Sequence, residues 1–345
     1  LTTIEAMSQD NPMNSADSKL KSPPWQHNAD GNIRRVGVEL EMSGLTLDEI
    51  AALVAAFFQL EAVPDGRYER VLQGDAAGDW VVELDYERLK RMGRKQRADE
   101  TVADDIGRTV EDVLAWAAEA LVPVEIISPP LPLDRLPEVE ALIVQLREAG
   151  AKGSSHSPIN VFSLQLNPEL PAHDASLITA CLRSFACLHD WLYQRADIDL
   201  SRRMTSYVDP YPHDYVMTLL DADYAPDLAT LIDDYLRHNP TRNRELDMLP
   251  LFAHLDAQRV GAVVDDERIK ARPTFHYRLP DCDIDNPDWG LHVAWNDWVE
   301  VEHLAADTKR LQACCQAYLE ELDKPLQRLF GSWDKTVADK WLRRS

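Results

Sequence analysis

The sequence has little of what the commonest nucleotide-binding and hydrolytic signatures require. Glycine is scarce, 13 in 345 residues. None stands in a G-x-x-x-x-G-K-[ST] phosphate loop, a G-x-G-x-x-G dinucleotide turn or a G-x-S-x-G nucleophile elbow. H-E-x-x-H is absent too, which excludes the zinc-protease helix built on it. Cysteine is sparse: Cys181, Cys187, Cys282, Cys314 and Cys315 form neither an even disulfide framework nor a C-x-x-C pair. Cys181 and Cys187 fall in an apolar helical pattern and read as packing residues, so a reducing cytoplasm is the expected setting. Positive charge is also in deficit, 36 Lys and Arg against 59 Asp and Glu for a net −23. That balance opposes a nucleic-acid partner, because phosphate-backbone binding concentrates positive charge. No apolar run is long enough to cross a bilayer, and no basic-then-apolar leader opens the chain. The expectation is a soluble, cytoplasmic protein with no membrane partner.

What is present suffices for a substantial core, with 45% hydrophobic residues and 9 tryptophans. Residues 1–32 are polar, rich in Asn, Ser, Asp and Pro, and without hydrophobic period. Such a segment cannot offset its ordering entropy and is expected to be a disordered tail. The chain opens on Leu1 with Met7 close behind, so an alternative start codon or Met7 is the expected beginning. From Arg35 the pattern changes. Val36 to Met42 alternates in period 2, as a strand with unlike faces does. Thr46-Leu47-Asp48-Glu49 reads as a capping box opening an amphipathic helix through Ile50, Val54, Phe57 and Phe58. Further strands are predicted near 68–72, at 79–85, 124–128 and 161–166, with helices over 105–121, 137–149 and from Asp174 through Leu192. The C-terminal half reads as mainly helical, around 225–238, 244–256 and 298–345, with a strand at 273–279 and another near 290–294. With no internal repeat and no linker, residues 33–345 are expected to form a single α+β domain.

Chemistry concentrates on three of those strands. Side chains two apart on a strand face the same way, so Glu39 and Glu41 share one face while Val38, Leu40 and Met42 share the other. Glu83 and Asp85 repeat this with Val82 and Leu84 behind them, and Glu125 stands between apolar Val124 and Ile126. A solvated sheet face explains any one such strand. Three together place like charges side by side, and a hard cation such as Mg²⁺ or Mn²⁺, which takes oxygen ligands, is the natural neutraliser. The one dense basic run, Arg88 to Arg97, follows the Glu83/Asp85 strand and reads either as a phosphate-contacting arm or as a solvated face. Arg202, Arg203, Arg242, Arg244, Arg272 and Arg278 are scattered, and spacing does not relate them. His156, among serines, lacks an identifiable acid partner and reads as incidental.

These segments resemble the bacterial putative amidoligases, members of the carboxylate–amine ligase superfamily with glutamine synthetase and glutamate–cysteine ligase. The resemblance is carried by Gly37-Val38-Glu39-Leu40-Glu41, Trp80 to Asp85, and Val124-Glu125-Ile126-Ile127-Ser128-Pro129-Pro130. It continues through Leu200 to Arg203, Asn239 to Arg244, Leu249 to Asp256 and Lys270 to Arg278, covering roughly 35–305. It implies a curved antiparallel, glutamine-synthetase-like sheet with helices on its convex face and divalent metals and ATP on its concave one. On that likeness Glu39, Glu41 and Glu125 are metal ligands, assisted by Glu83 or Asp85, with Gln165 and His276 as further ligand positions. Arg278 matches a phosphate-binding arginine, Asp85 and Arg242 are nucleotide-side candidates, and Arg202, Arg203 or Arg242 would hold the substrate carboxylate.

The implied reaction joins a small-molecule or peptide carboxylate to an amine at the cost of ATP, with Mg²⁺ or Mn²⁺ as cofactor. Relatives often carry Phe-Gly-x-His-x-Asn where this chain has Phe162-Ser163-Leu164-Gln165-Leu166-Asn167, and an arginine at the position of Ser155. Gln165 offers a neutral amide oxygen, a weaker cation ligand than imidazole or carboxylate. Two alternatives stay open: a non-catalytic descendant that binds nucleotide, metal or a partner protein, favoured by Ser155, Ser163 and Gln165, and a metal-dependent amide hydrolase in which the same acids would activate water.

Overall fold

The structure, a computed structural model, describes residues 19–66, 68–84, 123–154, 162–196, 208–324 and 332–343. The first strand, β1 (Arg35–Met42), is flanked on both sides by antiparallel partners. Helix α1 (Leu47–Phe58) follows, opened by the expected capping box: Thr46 Oγ1 accepts from Glu49 N, and Glu49 Oε2 accepts from Thr46 N. Gln59 ends it in the left-handed conformation, φ 58°, a position that satisfies the last carbonyls at modest strain. The chain then runs through β2 (Glu61–Pro64), β3 (Glu69–Gln73), β4 (Trp80–Leu84), β5 (Val124–Ile127), β6 (Leu131–Pro132), α2 (Leu136–Ala149) and β7 (Leu164–Pro168). These strands form one open sheet in the order β2-β3-β4-β5-β1-β6, with β7 also pairing β1, and every pairing is antiparallel.

Beyond β7 the described chain is mainly helical: α3 (Ala175–Arg195), α4 (His213–Leu220), α5 (Leu228–His238), α6 (Leu249–Leu255), α7 (Ala257–Gly261), α8 (Leu291–Ala306), α9 (Thr308–Leu322) and α10 (Trp333–Lys340). Asp174 caps α3 as expected, accepting from Ser176 N and Leu177 N. The protein is therefore a mixed helix-and-sheet fold. One face of the sheet, through Val36, Val38, Leu40, Met42, Val82, Leu84, Val124, Ile126, Leu164 and Leu166, is buried in a continuous core with the inner sides of α1, α2, α3 and α8. Among the described residues no helix is long and apolar enough to cross a membrane.

Several expectations are corrected. The segment near 290–294 opens α8 rather than forming a strand. Its buried Leu291, Ala294, Trp295, Trp298, Val301 and Leu304 recur with helical period, and Glu140 accepts from His292 N at the helix start. Residues 273–279 are extended but make only isolated bridges, Thr274 to Glu169 and Tyr277 to Leu166 and Leu246, with Pro273 removing one ladder donor. Residues 244–248 run alongside them, so the helix expected from 244 begins only at Leu249. The C-terminal stretch breaks at Asp307, which caps α9 through Arg310 N. Edge strands β2 and β6 were not legible in the pattern. The tail expected through residue 32 is packed from residue 19. Lys21 pairs with Glu300 at 2.7 Å, Trp295 Nε1 donates to the Lys21 carbonyl, and Leu20 and Trp25 lie against the core. The helix expected at 105–121, the basic run and His156 lie outside the described residues.

Candidate functional site: an acidic row on the polar face of the sheet

Because strand side chains alternate, the apolar face fixes what the other face presents. Register then decides what stands beside what. Glu69 is opposite Glu83, Glu83 opposite Glu125, and Glu125 opposite Glu41. Four glutamates on β3, β4, β5 and β1 thus form one row across the sheet, with neighbouring strands about 4.8 Å apart. The row directly beside it is Val71, Val81, Ile127, Glu39 and Gln165. Glu39 therefore stands one row from Glu41, and Gln165 beside Glu39. The sequence named Glu39, Glu41, Glu83 and Glu125 as sharing a face, and the structure brings all four together. Glu69 joins them unannounced, since its strand shows no clean alternation.

Hydrogen bonds hold this face in place. Glu41 Oε2 accepts from Ser163 N at 2.9 Å. Glu39 Oε1 accepts from Asn167 Nδ2 at 2.7 Å and lies 3.6 Å from Arg272 Nη1. Gly37 is what lets Asn167 come so close: a Cβ there would stand 3.3 Å from Asn167 Cβ and 3.4 Å from its Nδ2. Gln165 Nε2 points towards Glu125 Oε1 at 3.5 Å and Ser163 Oγ at 3.3 Å, and its Oε1 meets His276 Nε2 at 2.9 Å. His276 Nδ1 faces Asp247 Oδ2 at 3.4 Å. Burial holds the His276 imidazole below its ordinary pKa, against the opposing pull of Asp247 and Glu39. His276 thus stands behind Gln165, supported in turn by Asp247, whose carboxylate also accepts from Leu249 N.

Guanidinium groups close the same region. Tyr277 is buried and bridges Leu166, so alternation sends Arg278 to the side occupied by Gln165 and His276. Arg278 Nη1 donates to the Arg242 carbonyl, and its backbone N–H donates to Glu245 O. Burial, and then the neighbouring Arg278 charge, depress the Arg242 pKa. Glu245 is itself anchored by His189 Nε2 at 2.6 Å. His189 rises to about 10, because Glu245 and Asp190 outweigh the burial that would lower it. Arg242, Arg272 and Arg278 each bury an Nε with no hydrogen-bond partner.

The donor set fits a hard cation in kind: carboxylates of Glu39, Glu41, Glu83 and Glu125, and the buried amide oxygen Asn167 Oδ1, which has no hydrogen-bond partner. Among the described residues no three His, Cys, Asp or Glu converge as a formed metal cluster, so the carboxylates line a face rather than a closed cage. Asp85, Arg202, Arg203 and Ser155 lie outside the described residues. Sequence reasoning missed Glu69, Asn167, Arg272 and Asp247 as members of this site. Asn167 was within reach, two residues beyond Gln165 on the same strand face. Asp247 was not, since it meets His276 across 29 residues with no period connecting them.

An open antiparallel sheet with helices packed on one face, and carboxylates in register with arginines nearby on the other, defines a mixed helix-and-sheet protein whose polar sheet face is the candidate site. Its family is the amidoligases: residues 32–300 match the family model described as "Putative amidoligase enzyme", and the chain belongs to that family. Membership places it among ligase-type enzymes. No curated protein and no solved structure matches the chain.

Proposed function

We propose that the protein is an ATP- and divalent-metal-dependent carboxylate–amine ligase that forms an amide or isopeptide bond through an acyl phosphate. The observation that carries this reading is the in-register row Glu83–Glu125–Glu41 with Glu39 beside it, on a face that also receives Arg272 and Arg278, in a chain of the amidoligase family. A glutamine-synthetase-like curvature, with this face concave, belongs to the same proposal.

Glu39, Glu41, Glu83 and Glu125 would hold Mg²⁺ or Mn²⁺, with Gln165 at the margin. Bound there, the metal would supply charge neutralisation for the phosphates of ATP. Arg278 and Arg242 present guanidinium donors to the anionic phosphates and to the carboxylate substrate, and Asp85, Arg202 and Arg203 are the further candidates outside the described residues. Asn167 and Ser163 fix the rotamers of Glu39 and Glu41 through their hydrogen bonds, so those ligands need no reorganisation on binding. His276 orients the Gln165 amide. The substrate carboxylate would attack the γ-phosphoryl group, the bond to the β–γ bridging oxygen would break and release ADP, and the amine would then displace phosphate from the acyl carbon, losing its proton. At the Gln165 position a neutral amide oxygen would hold a cation less tightly than an imidazole.

The test is turnover of ATP with Mg²⁺ against panels of small-molecule and peptide carboxylates with amines, following ADP and the amide product by mass spectrometry. Wild type is expected to need both substrates, and Glu41→Gln to lose activity by at least the roughly 10–100-fold that removing a ligand's supporting partner costs at metal sites. Turnover unaffected by Glu41→Gln and by Glu125→Gln sinks the assignment. Amide cleavage without ATP would instead identify a hydrolase.

A further inference from the structure

Away from this face, three of the five cysteines meet where α3 packs against α9. Cys187 Sγ lies 3.7 Å from Cys315 Sγ and donates its proton towards it. The two residues are 128 apart in sequence, and Cys315 lies beyond residue 300, where the family match ends. Cys314 is fully buried beside them, and Cys187 is fully buried, whereas Cys315 retains 5% exposure. The thiols differ in character as well as access. Burial, reinforced by its hydrogen bonds to Cys314 and Cys315, pushes Cys187 well up. The hydrogen bond from Cys187, together with the Arg183 charge and against burial, pulls Cys315 down. The less completely buried residue of the pair, Cys315, is therefore also the one whose thiol is shifted towards thiolate, and thiolate is the form that reacts with oxidants.

We propose that Cys187 and Cys315 are an oxidisable dithiol, with Cys315 the sulfur oxidised first and Cys187 the sulfur that resolves it. The co-reactant is a hydroperoxide. The Cys315 thiolate attacks one peroxide oxygen, the O–O bond breaks, and a sulfenic acid and hydroxide form. Cys187 sulfur then attacks the Cys315 sulfenic sulfur, the S–O bond breaks, and water leaves with the Cys187 proton. Two thiols are oxidised by two electrons and one peroxide is reduced. Closing the sulfurs from 3.7 Å to the covalent distance of about 2.05 Å asks for side-chain rotation and a small approach of two helices already in contact. The product staples α9 to α3. α10 already rests on the same point, where Trp333 Nε1 donates to the Cys187 carbonyl.

The experiment treats the reduced full chain with one equivalent of hydrogen peroxide, then blocks free thiols and maps peptides without reduction. The expected result is an intramolecular Cys187–Cys315 link, a fall from five titratable thiols to three in the denatured protein, and a melting temperature raised by about 5 °C or more, reversed by dithiothreitol. Cys314→Ser is expected to keep the link and Cys315→Ser to slow thiol loss at least tenfold. If Cys315→Ser fails to fold, Cys315→Ala serves the same comparison. Five thiols surviving peroxide in the folded protein, or a wild-type link made through Cys314, overturns the proposal.

Discussion

Arg34 and Glu302 form an ion pair inside the protein, with both side chains 1% exposed. Arg34 Nη2 meets Glu302 Oε1 at 2.7 Å, Nη1 meets Oε2 at 2.8 Å, and Trp298 Nε1 donates to Oε1 at 2.7 Å. Arg34 also donates to the Trp25 and Glu169 carbonyls. One guanidinium thus ties α8, the N-terminal segment and the chain just past β7 to the start of β1, the strand that carries Glu39 and Glu41. Glu302→Gln removes the counter-charge and leaves the guanidinium buried. Breaking one side of such a pair costs about 3–5 kcal/mol. At roughly 2–4 °C per kcal/mol for a chain of this size, the melting temperature should fall by about 10 °C. The pair itself is a different matter, because both charges were desolvated to make it. Arg34→Met with Glu302→Met should therefore recover at least half of the single-variant loss, held short of full recovery by Trp298 Nε1 losing its acceptor. Differential scanning calorimetry of wild type, Arg34→Met, Glu302→Met and the double variant closes the cycle, with Glu302→Gln measured beside them. A loss under about 1 kcal/mol for Glu302→Gln, or a double variant that loses the sum of both singles, would refute the reasoning.

Other outcomes follow from the same geometry. Asp75 binds Arg135 through two bonds of 2.7 and 3.0 Å, and the guanidinium, helped by Ala77 N and Trp80 Nε1, lowers its pKa to about 2. An acid whose folded pKa lies below its unfolded value near 3.9 contributes stability above that value and loses it as pH falls towards the folded one. Asp75 therefore contributes about 2 kcal/mol at neutral pH, lost between roughly pH 5 and 2. Urea unfolding across that window should show Asp75→Asn less stable at pH 7 and flatter towards acid; parallel curves for the two proteins count against it. Gly37→Ala should displace Asn167 from Glu39, weakening Mg²⁺-dependent activity at least tenfold while costing about 1–2 kcal/mol of stability; unchanged metal dependence would contradict the role given to Asn167. Gln165→His should strengthen divalent-metal affinity by roughly tenfold, read by calorimetric titration of Mn²⁺, since imidazole is the better ligand; equal or weaker affinity removes Gln165 from the metal's surroundings.

How much of this was legible in the sequence depends on the range of the interaction. The capping box at Thr46, the cap at Asp174 and the alternation of β1, β4 and β5 are local, and the period-2 and period-3.6 patterns carried them. Alternation also put Glu39, Glu41, Glu83 and Glu125 on one face, because an apolar core dictates the parity of each strand. It did not give register. That Glu41, Glu125, Glu83 and Glu69 lie in one row depends on pairings between strands far apart in the chain. The error at 290–294 came from reading five residues alone, where a strand and the first turn of a buried helix look alike. Packing of residues 19–32 was missed for a related reason. A polar segment with one Leu and one Trp shows no period, and its order comes from hydrogen bonds to α8. Asp247 behind His276, and Arg272 near Glu39, are tertiary facts without sequence signal.

The central claim is that the glutamate row is a divalent-metal site that works with ATP. Electron paramagnetic resonance of Mn²⁺ titrated into the full chain, with and without a non-hydrolysable ATP analogue, measures it without knowledge of either substrate. The account predicts protein-bound Mn²⁺ that tightens when the analogue is present, and at least tenfold weaker binding in Glu41→Gln combined with Glu125→Gln, with the fold retained by circular dichroism. Mn²⁺ binding of equal strength in wild type and the double variant would contradict it.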